Sequence, residues 1–239
     1  GDGMVSSIAG HVSARGGVLA VVPAGRGNDF ARMLAVPHDT AGQARLLLEG
    51  DARRVDLLRA TGSDGATHLV AGSVYAGVDA RAAEIVDRSH WLPSRLQYPV
   101  AAIRALATYR PVVCTLEVDG VRSQHEAATV VIANSRYYGK GMAIAPTAEL
   151  DDGLLDVIVI EAASRSGLIR SLPKVYDGRH VDLDEVHVLT GRRVTLSGTY
   201  AGGAAVPVGA DGEALATLPA DGADPLTVEL LPGALQILA

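Results

Sequence analysis

The sequence predicts an α/β plus β-sandwich fold: a truncated α/β unit over residues 1–52, then a mainly antiparallel β-sandwich with helical excursions over residues 53–239. Three observations carry this. The apolar run Val18 to Val22 lies between helical segments, as a buried strand of a parallel sheet does. From Arg54 onward the pattern changes to strands of period two. Asp64-Gly65, Asp119-Gly120 and Asp211-Gly212 then supply hairpin-turn chemistry.

The opening Gly1 to Gly3 reads as a turn and Val5 to Ser13 as a helix. A strand over Val18 to Val22 follows, then a glycine turn and helices at Asn28 to Leu34 and Thr40 to Leu48. Because Gly1-Asp2-Gly3-Met4 starts with no strand before it, we expect a missing N-terminal segment. The second part predicts strands at Arg54–Arg59, His68–Ser73, Val112–Val118, Ala127–Ala133, Leu154–Ile160, Val186–Leu189, Arg193–Leu196, Val206–Ala210, Ala214–Leu218 and Leu226–Leu230. Helices interrupt it at Ala80–Asp87, Pro93–Thr108 and Ser166–Tyr176, and the last strands are free to return toward the first unit.

A chain of 239 residues buries a full core. With 21 basic against 27 acidic residues, a net charge of -6 and no basic block, it lacks the footprint of a nucleic-acid binder. Its one cysteine, Cys114, forms no internal disulfide, which suits a reducing, cytoplasmic setting. No apolar run reaches membrane-spanning length, so a lipid ligand would be met at the membrane surface by transient association, or carried in solution.

Four constellations carry chemistry. In Gly25-Arg26-Gly27-Asn28-Asp29, small residues let backbone approach a phosphate at the start of a helix and Arg26 adds a charged donor; the other reading is a plain turn with Asn28 or Asp29 as N-cap. Asp2 between Gly1 and Gly3 suits a metal ion or water around a phosphate, or is simply a loose chain end. From Ala145 to Val157, four acidic residues (Glu149, Asp151, Asp152 and Asp156) fall within eight positions around Gly153, suiting a hard divalent cation or a solvated turn. Asp211-Gly212-Glu213 closes a hairpin; if that hairpin faces the glycine loop, Glu213 is placed to accept a proton from an attacking hydroxyl and Asp211 to shape the site.

Asp79, in Gly77-Val78-Asp79-Ala80, reads as a helix cap or as an acid lining a cleft, and the polar-aromatic loop Asn134 to Met142 as a cleft wall. The apolar series Trp91, Leu92, Leu96, Tyr98, Val100, Ile103 and Leu106 reads first as helix-on-sheet core and second as an acyl-chain site. The seven histidines show no close metal-ligand spacing along the chain.

In order and content these motifs resemble the diacylglycerol kinase and sphingosine kinase superfamily, most of all its bacterial soluble lipid kinases. Gly1-Asp2-Gly3-Met4 is similar to the end of the family's Gly-Gly-Asp-Gly-Thr motif, and Pro23 to Arg32 to its Gly-Thr-Gly-Asn-Asp-Phe-Ala-Arg motif. Gly77 to Ala80, Ile144 to Val157 and Asp211-Gly212-Glu213 resemble its Gly-x-Asp-Ala, Asp-Asp-Gly-Leu-Leu-Asp and Asp-Gly-Glu segments. The resemblance implies a nucleotide-binding α/β domain, a β-sandwich domain and a cleft between them in which ATP and Mg2+ phosphorylate a lipid hydroxyl such as that of diacylglycerol. By the same resemblance, Asp2, Gly3, Gly25, Arg26, Gly27 and Asn28 handle nucleotide phosphates and their metal, Glu213 is the proton acceptor and Asp211 assists it. Glu149, Asp152 and Leu154 hold a structural magnesium, and Asp29, Arg32 and Asp79 are candidate substrate contacts.

Two departures stand out: Met4 and Arg26 occupy positions where the family motifs carry threonine. With the early strands missing, the chain is expected to be an incomplete kinase, its absent elements cleaved, disordered or supplied by another chain or a homo-oligomer. One alternative is a NAD kinase-like phosphotransferase, which shares the early glycine-aspartate motif; a second is a catalytically inactive lipid- or protein-binding module. Asn28 to Arg32 and Asp152 to Asp156 resemble the lipid kinases more than NAD kinase.

Overall fold

A computed structural model describes residues 1–25, 27–87 and 94–239, the side chains of 84, 86, 87 and 94–98 excepted. Helix α1 (Asp2–Ser13) leads into β1 (Val18–Leu19), and α2 (Asp29–Met33) and α3 (Thr40–Glu49) follow. Gly1 precedes α1 with no side-chain cap, whereas Asp39 caps α3 by accepting from the Gly42 amide. Strands β2 (Ala52–Thr61), β3 (Thr67–Val70) and β4 (Ser73–Gly77) come next, then α4 (Val78–Asp87) and α5 (Ser94–Ala107). Strands β5 (Val112–Val118), β6 (Val121–Ala133) and β7 (Leu155–Glu161) lead to α6 (Arg165–Tyr176) and a 3-10 turn at Arg179–Asp182. Strands β8 (Val186–Gly191), β9 (Arg193–Tyr200), β10 (Pro207–Ala210), β11 (Glu213–Thr217) and β12 (Leu226–Leu238) complete the chain.

The strands form one hydrogen-bonded path, β11-β10-β4-β6-β5-β9-β12-β2-β3, with β7 and β8 branching from β6 and β1 from β12. Two 13-residue strands make the bends. The first half of β6 pairs with β5, while its second half pairs with β4 and β7. Strand β12 pairs with β9 and β2, slips register between Leu231 and Leu235, and continues along β2 and β1. Pro232 and Gly233 lie in that slip, where proline's missing N–H costs no ladder bond.

Hydrophobic burial follows the period-two pattern. Cys114, Leu116, Val130, Ile132, Val157, Leu196 and Val228 fill the sandwich interior. A second cluster (Ala9, Phe30, Leu57, Leu235 and Ile237) seats α1 and α2 on β12 and β2, and a third packs α6 against β6 and β7. Each fully buried Leu or Ile contributes about 1.5–3 kcal/mol.

The antiparallel, sandwich-like second part agrees with the sequence reading, and β1 is parallel to its partner β12. The run Val18–Val22 departs from it. Only Val18 and Leu19 are laddered, and Val18 and Val22 are 48% and 50% exposed. The physical reason is that β1 has β12 on one side and, among the described residues, no strand on the other. The polar start of β6, Val121 to Glu126, is strand although its sequence lacks an apolar alternation, because β5 pairs along all of it. Trp91 and Leu92 lie outside the described residues, as do the side chains of Leu96 and Tyr98; Val100 and Ile103 are exposed rather than core, and Leu106 is buried.

Candidate active site

Three chain segments meet at the start of α1. The Phe30 amide donates to Asp2 Oδ1 at 2.9 Å, tying the first turn of α1 to that of α2. The glycine turn is closed on itself: Asn28, left-handed at φ 56°, accepts from the Gly25 amide at 2.7 Å and returns its Nδ2 proton to the Gly25 carbonyl at 2.9 Å. Space explains the glycines. A Cβ on Gly25 would sit 2.4 Å from Gly1 Cα, and one on Gly27 2.8 Å from Asp2 Oδ2. Arg26 lies outside the described residues.

The β10–β11 hairpin reaches the same place. A Cβ on Gly3 would lie 2.8 Å from Glu213 Cγ and Oε1, so the exposed Glu213 carboxylate rests against the backbone of α1. Asp211 sits behind it, engaged on every side. Its Oδ2 accepts from the Gly72 amide at 3.0 Å, the Ala71 amide at 3.2 Å and the Ser6 hydroxyl, and its Oδ1 from the Ser73 amide at 2.8 Å. Burial pushes the Asp211 carboxyl above its ordinary range, with Asp2 adding to the effect and these hydrogen bonds opposing it. Asp211 therefore braces the β3–β4 turn and α1, and fixes the hairpin that carries Glu213.

Asp29 is buried and paired with Arg32, and it accepts from the Lys140 amide at 2.8 Å. Burial, then the neighbouring Asp2, pushes its carboxyl up. The Arg32 guanidinium stands 5.7 Å over the Tyr137 ring. Asp79 is enclosed: it accepts from Thr129 Oγ1 at 2.6 Å and from the Tyr138 hydroxyl, while burial raises its pKa against those bonds. Tyr138 packs edge-on against Tyr75, whose hydroxyl accepts from the Gly212 amide at 3.0 Å.

These groups border a cavity of about 150 Å³. Asp2, Asp29, Asp79, Asp211, Gly212 and Tyr138 supply its polar lining. The remaining wall is mostly apolar, with Val78 and Ala82 from α4, Ala105 and Leu106 from α5, and Leu168, Leu172 and Val175 from α6. Ser135, Tyr137, Gly139 and Met142 of the loop after β6 close one side.

The acidic turn stands apart, since Glu149, Asp152 and Leu154 are not among the described lining residues. It is pinned through Asp56, which accepts from the Gly153 and Gly233 amides at 2.9 and 2.6 Å. Asn134 links that region to the site by donating to the Asp56 and Ala71 carbonyls. Asp152 turns one oxygen onto the Leu154 amide at 2.9 Å. Burial raises Asp156, its hydrogen bond with the Thr147 hydroxyl opposes this, and the nearby Asp152 carboxylate adds to the rise.

Several site residues carry no motif signal. Ser6 reads in sequence only as the residue one helical turn after Asp2, and Tyr75 and Thr129 only as polar residues beside apolar strand positions. None of their partners is visible without the strand order.

The chain thus sets an α/β segment against a mainly antiparallel β-sandwich. A profile described as the diacylglycerol kinase catalytic domain matches residues 1–60, and one described as the YegS C-terminal NAD kinase beta sandwich-like domain matches residues 72–239. The chain is 32% identical over 240 residues to the diacylglycerol kinase of Mycobacterium tuberculosis (strain H37Rv), covering all of this chain and 74% of that protein. It is 24% identical to the Bacillus subtilis (strain 168) diacylglycerol kinase, covering 82% of this chain and 65% of that protein. A solved Bacillus anthracis diacylglycerol kinase shares the fold, with a TM-score of 0.64 at 20% identity over 93% of this chain and 66% of that chain. The chain belongs to the diacylglycerol kinase and YegS-like lipid kinase family.

Proposed function

We propose that this protein phosphorylates the hydroxyl of a diacylglycerol-type lipid, using ATP with a divalent cation such as Mg2+. The observation that carries the reading is the continuity of two environments. A carboxylate cluster at the start of α1 opens into a cavity with a mostly apolar wall, which suits a molecule with one reactive hydroxyl and a hydrocarbon body. The apolar wall speaks against a nicotinamide nucleotide as acceptor. It suits an acyl chain, met at a membrane surface; among the described residues no helix is long and apolar enough to cross a membrane.

ATP, when bound, supplies the transferable phosphoryl group, and the metal neutralises its charge. In this reading Asp2, Gly3, Gly25, Gly27 and Asn28 hold the phosphate end. The fit rests on chemistry present here: the uncapped start of α1 favours an anion, while Asp2 and Glu213 beside it call for a cation between themselves and any phosphate. Arg26 is assigned the same role from its place in the sequence between Gly25 and Gly27. Glu213 accepts the proton of the attacking hydroxyl, Asp211 is a positioning residue for it, and Asp29, Arg32 and Asp79 border the acceptor. Glu149, Asp152 and the Leu154 carbonyl hold a second, structural cation away from the reaction.

Glu213→Gln tests this. Because the side chain is exposed, the variant is expected to melt like the parent and to bind nucleotide within a few-fold, while lipid phosphorylation falls by about 10²–10⁴. Near-parental turnover removes Glu213 as the base. Phosphorylated NAD in place of phosphorylated lipid defeats the choice of acceptor, and binding of both ligands by the parent without transfer leaves a non-catalytic binding module.

A further inference from the structure

Outside the cavity lining, on the sheet face opposite the one that α6 covers, three neighbouring strands bring together side chains that are distant in sequence. His125 on β6, Glu161 at the end of β7 and His187 on β8 offer ligand atoms that all lie within 4.8 Å of one another. The register makes this a property of the sheet. Glu161 is paired with Ala127, two residues from His125, and His187 is paired with Val159, two residues from Glu161, so all three project from one face. Glu161 Oε1 stands 2.7 Å from His125 Nδ1 and 3.3 Å from His187 Nε2. His125 Nε2 has its own partner, the Ser123 hydroxyl at 2.9 Å, which orients the ring and directs Nδ1 at the cluster.

We propose that His125, Glu161 and His187 form a binding site for a divalent transition metal of the zinc type, separate from any magnesium used in phosphoryl transfer. Two imidazoles and one carboxylate suit zinc and are poor ligands for magnesium. A tetrahedral ion with bonds of about 2.0–2.2 Å spaces its ligand atoms by about 3.3–3.5 Å. The His187 pair, at 3.3 Å, has that spacing, and the His125 pair, at 2.7 Å, reaches it by opening about 0.6 Å. The Ser123 contact is the outer partner that a metal-bound histidine ordinarily has. Exposure falls from His187 at 45% to Glu161 at 27% and His125 at 13%, leaving the solvent side for a water as fourth ligand. Cys114, opposite His125 on β5, is buried and its sulfur is not among the ligand atoms gathered within 4.8 Å.

The location gives the ion a structural consequence. Among the described residues strand β8 is laddered to β7 alone, and Glu161 is followed within four residues by α6, which with Ile160 walls the apolar cavity. An ion here would lock β8 and the root of α6 to β6.

The test is a titration of the tag-free protein with Zn2+, and with Co2+ as the coloured probe, in excess Mg2+. We expect one equivalent at micromolar or lower free Zn2+, a visible Co2+ band of low coordination number, and a melting temperature that rises with Zn2+ and returns with chelator. His187→Ala changes an exposed side chain and should remain folded; it and Glu161→Gln should each weaken binding at least about tenfold. Absence of saturable binding by the folded parent overturns the site. So does Zn2+ affinity unchanged in both variants.

Discussion

The molecule contains the same turn twice. Asp119-Gly120 joins β5 to β6 and Asp211-Gly212 joins β10 to β11, with φ of 47° and 86° in the first and 46° and 88° in the second. Both are two-residue hairpins of the primed type that the Asp-Gly pair favours. Their carboxylates have different neighbours. Asp119 is at an exposed rim, where it accepts from the Arg192 and Arg193 amides at 2.9–3.1 Å. Asp211 is enclosed by α1 and the β3–β4 turn, holds three amides and a hydroxyl, and puts Glu213 against Gly3. Local sequence decides the turn; what the rest of the chain packs around it decides whether the turn does chemistry.

Alanine in place of each aspartate should break the symmetry most widely. Asp211→Ala leaves the Gly72 and Ser73 amides without their acceptor in a buried place, while the Ala71 amide keeps the Ser6 hydroxyl at 2.9 Å; at about 1–3 kcal/mol per orphaned donor the expected loss is about 2 kcal/mol or more. Asp119→Ala leaves amides that water can reach, and about 1 kcal/mol or less is expected. Urea melts of the two variants measure the difference. Equal losses would mean that the Asp211 cage is no more than a second surface turn.

The glycines sharpen the comparison from the other side. A Cβ on Gly120 or on Gly212 meets nothing within 4 Å, so alanine at either costs only the positive φ, about 1 kcal/mol in both. Stability should therefore fall alike. Lipid phosphorylation should fall in Gly212→Ala alone, because Gly212 borders the cavity and its amide donates to Tyr75. A matching loss of turnover in Gly120→Ala would mean that global stability, not hairpin position, governs the rate. Gly3→Ala separates the two quantities further: its Cβ would press on the movable end of Glu213, so a small stability change and a clear loss of turnover are expected from enzyme assay beside thermal melting.

Why one turn could be read as a site and the other not is visible in particular residues. Asp-Gly chemistry identified both turns, period two identified most strands, and the glycine loop with Asn28 and Asp29 marked the start of α2. Each of these rests on residues close in sequence. The Asp211 cage joins position 211 to positions 6, 71, 72 and 73, and the His125, Glu161 and His187 cluster depends on the order of three strands. No spacing rule reaches across such separations. Family resemblance supplied Glu213 and Asp211, whereas Ser6, Tyr75 and Thr129 emerged only with the fold. Val18 to Val22 shows the converse: its composition is that of a buried strand, but burial needs a neighbour on both sides, and sequence composition does not report one.

The smallest expected effect compares Asp211 with Asp79, another enclosed acid of the cavity. Burial raises both carboxyls, but their partners differ in kind. Backbone amides surround Asp211 and only donate, so an asparagine there would turn its own amide protons against them. Asp79 faces two hydroxyls, which donate or accept as needed, and Thr129 also has the Ala76 carbonyl at 3.0 Å to receive its proton. Asp79→Asn is thus expected to match or exceed the parent's melting temperature at neutral pH. A carboxyl whose folded pKa lies above its ordinary 3.8 contributes fully to stability below that value and loses the contribution as pH rises through the folded pKa. The advantage of the variant should accordingly shrink as pH falls toward 3.8, where the parent is relieved of the same buried charge. Thermal melts across that range check the sign; a variant that is less stable at neutral pH, or a gap that widens on acidification, would mean that the charged form of Asp79 is the one the fold prefers.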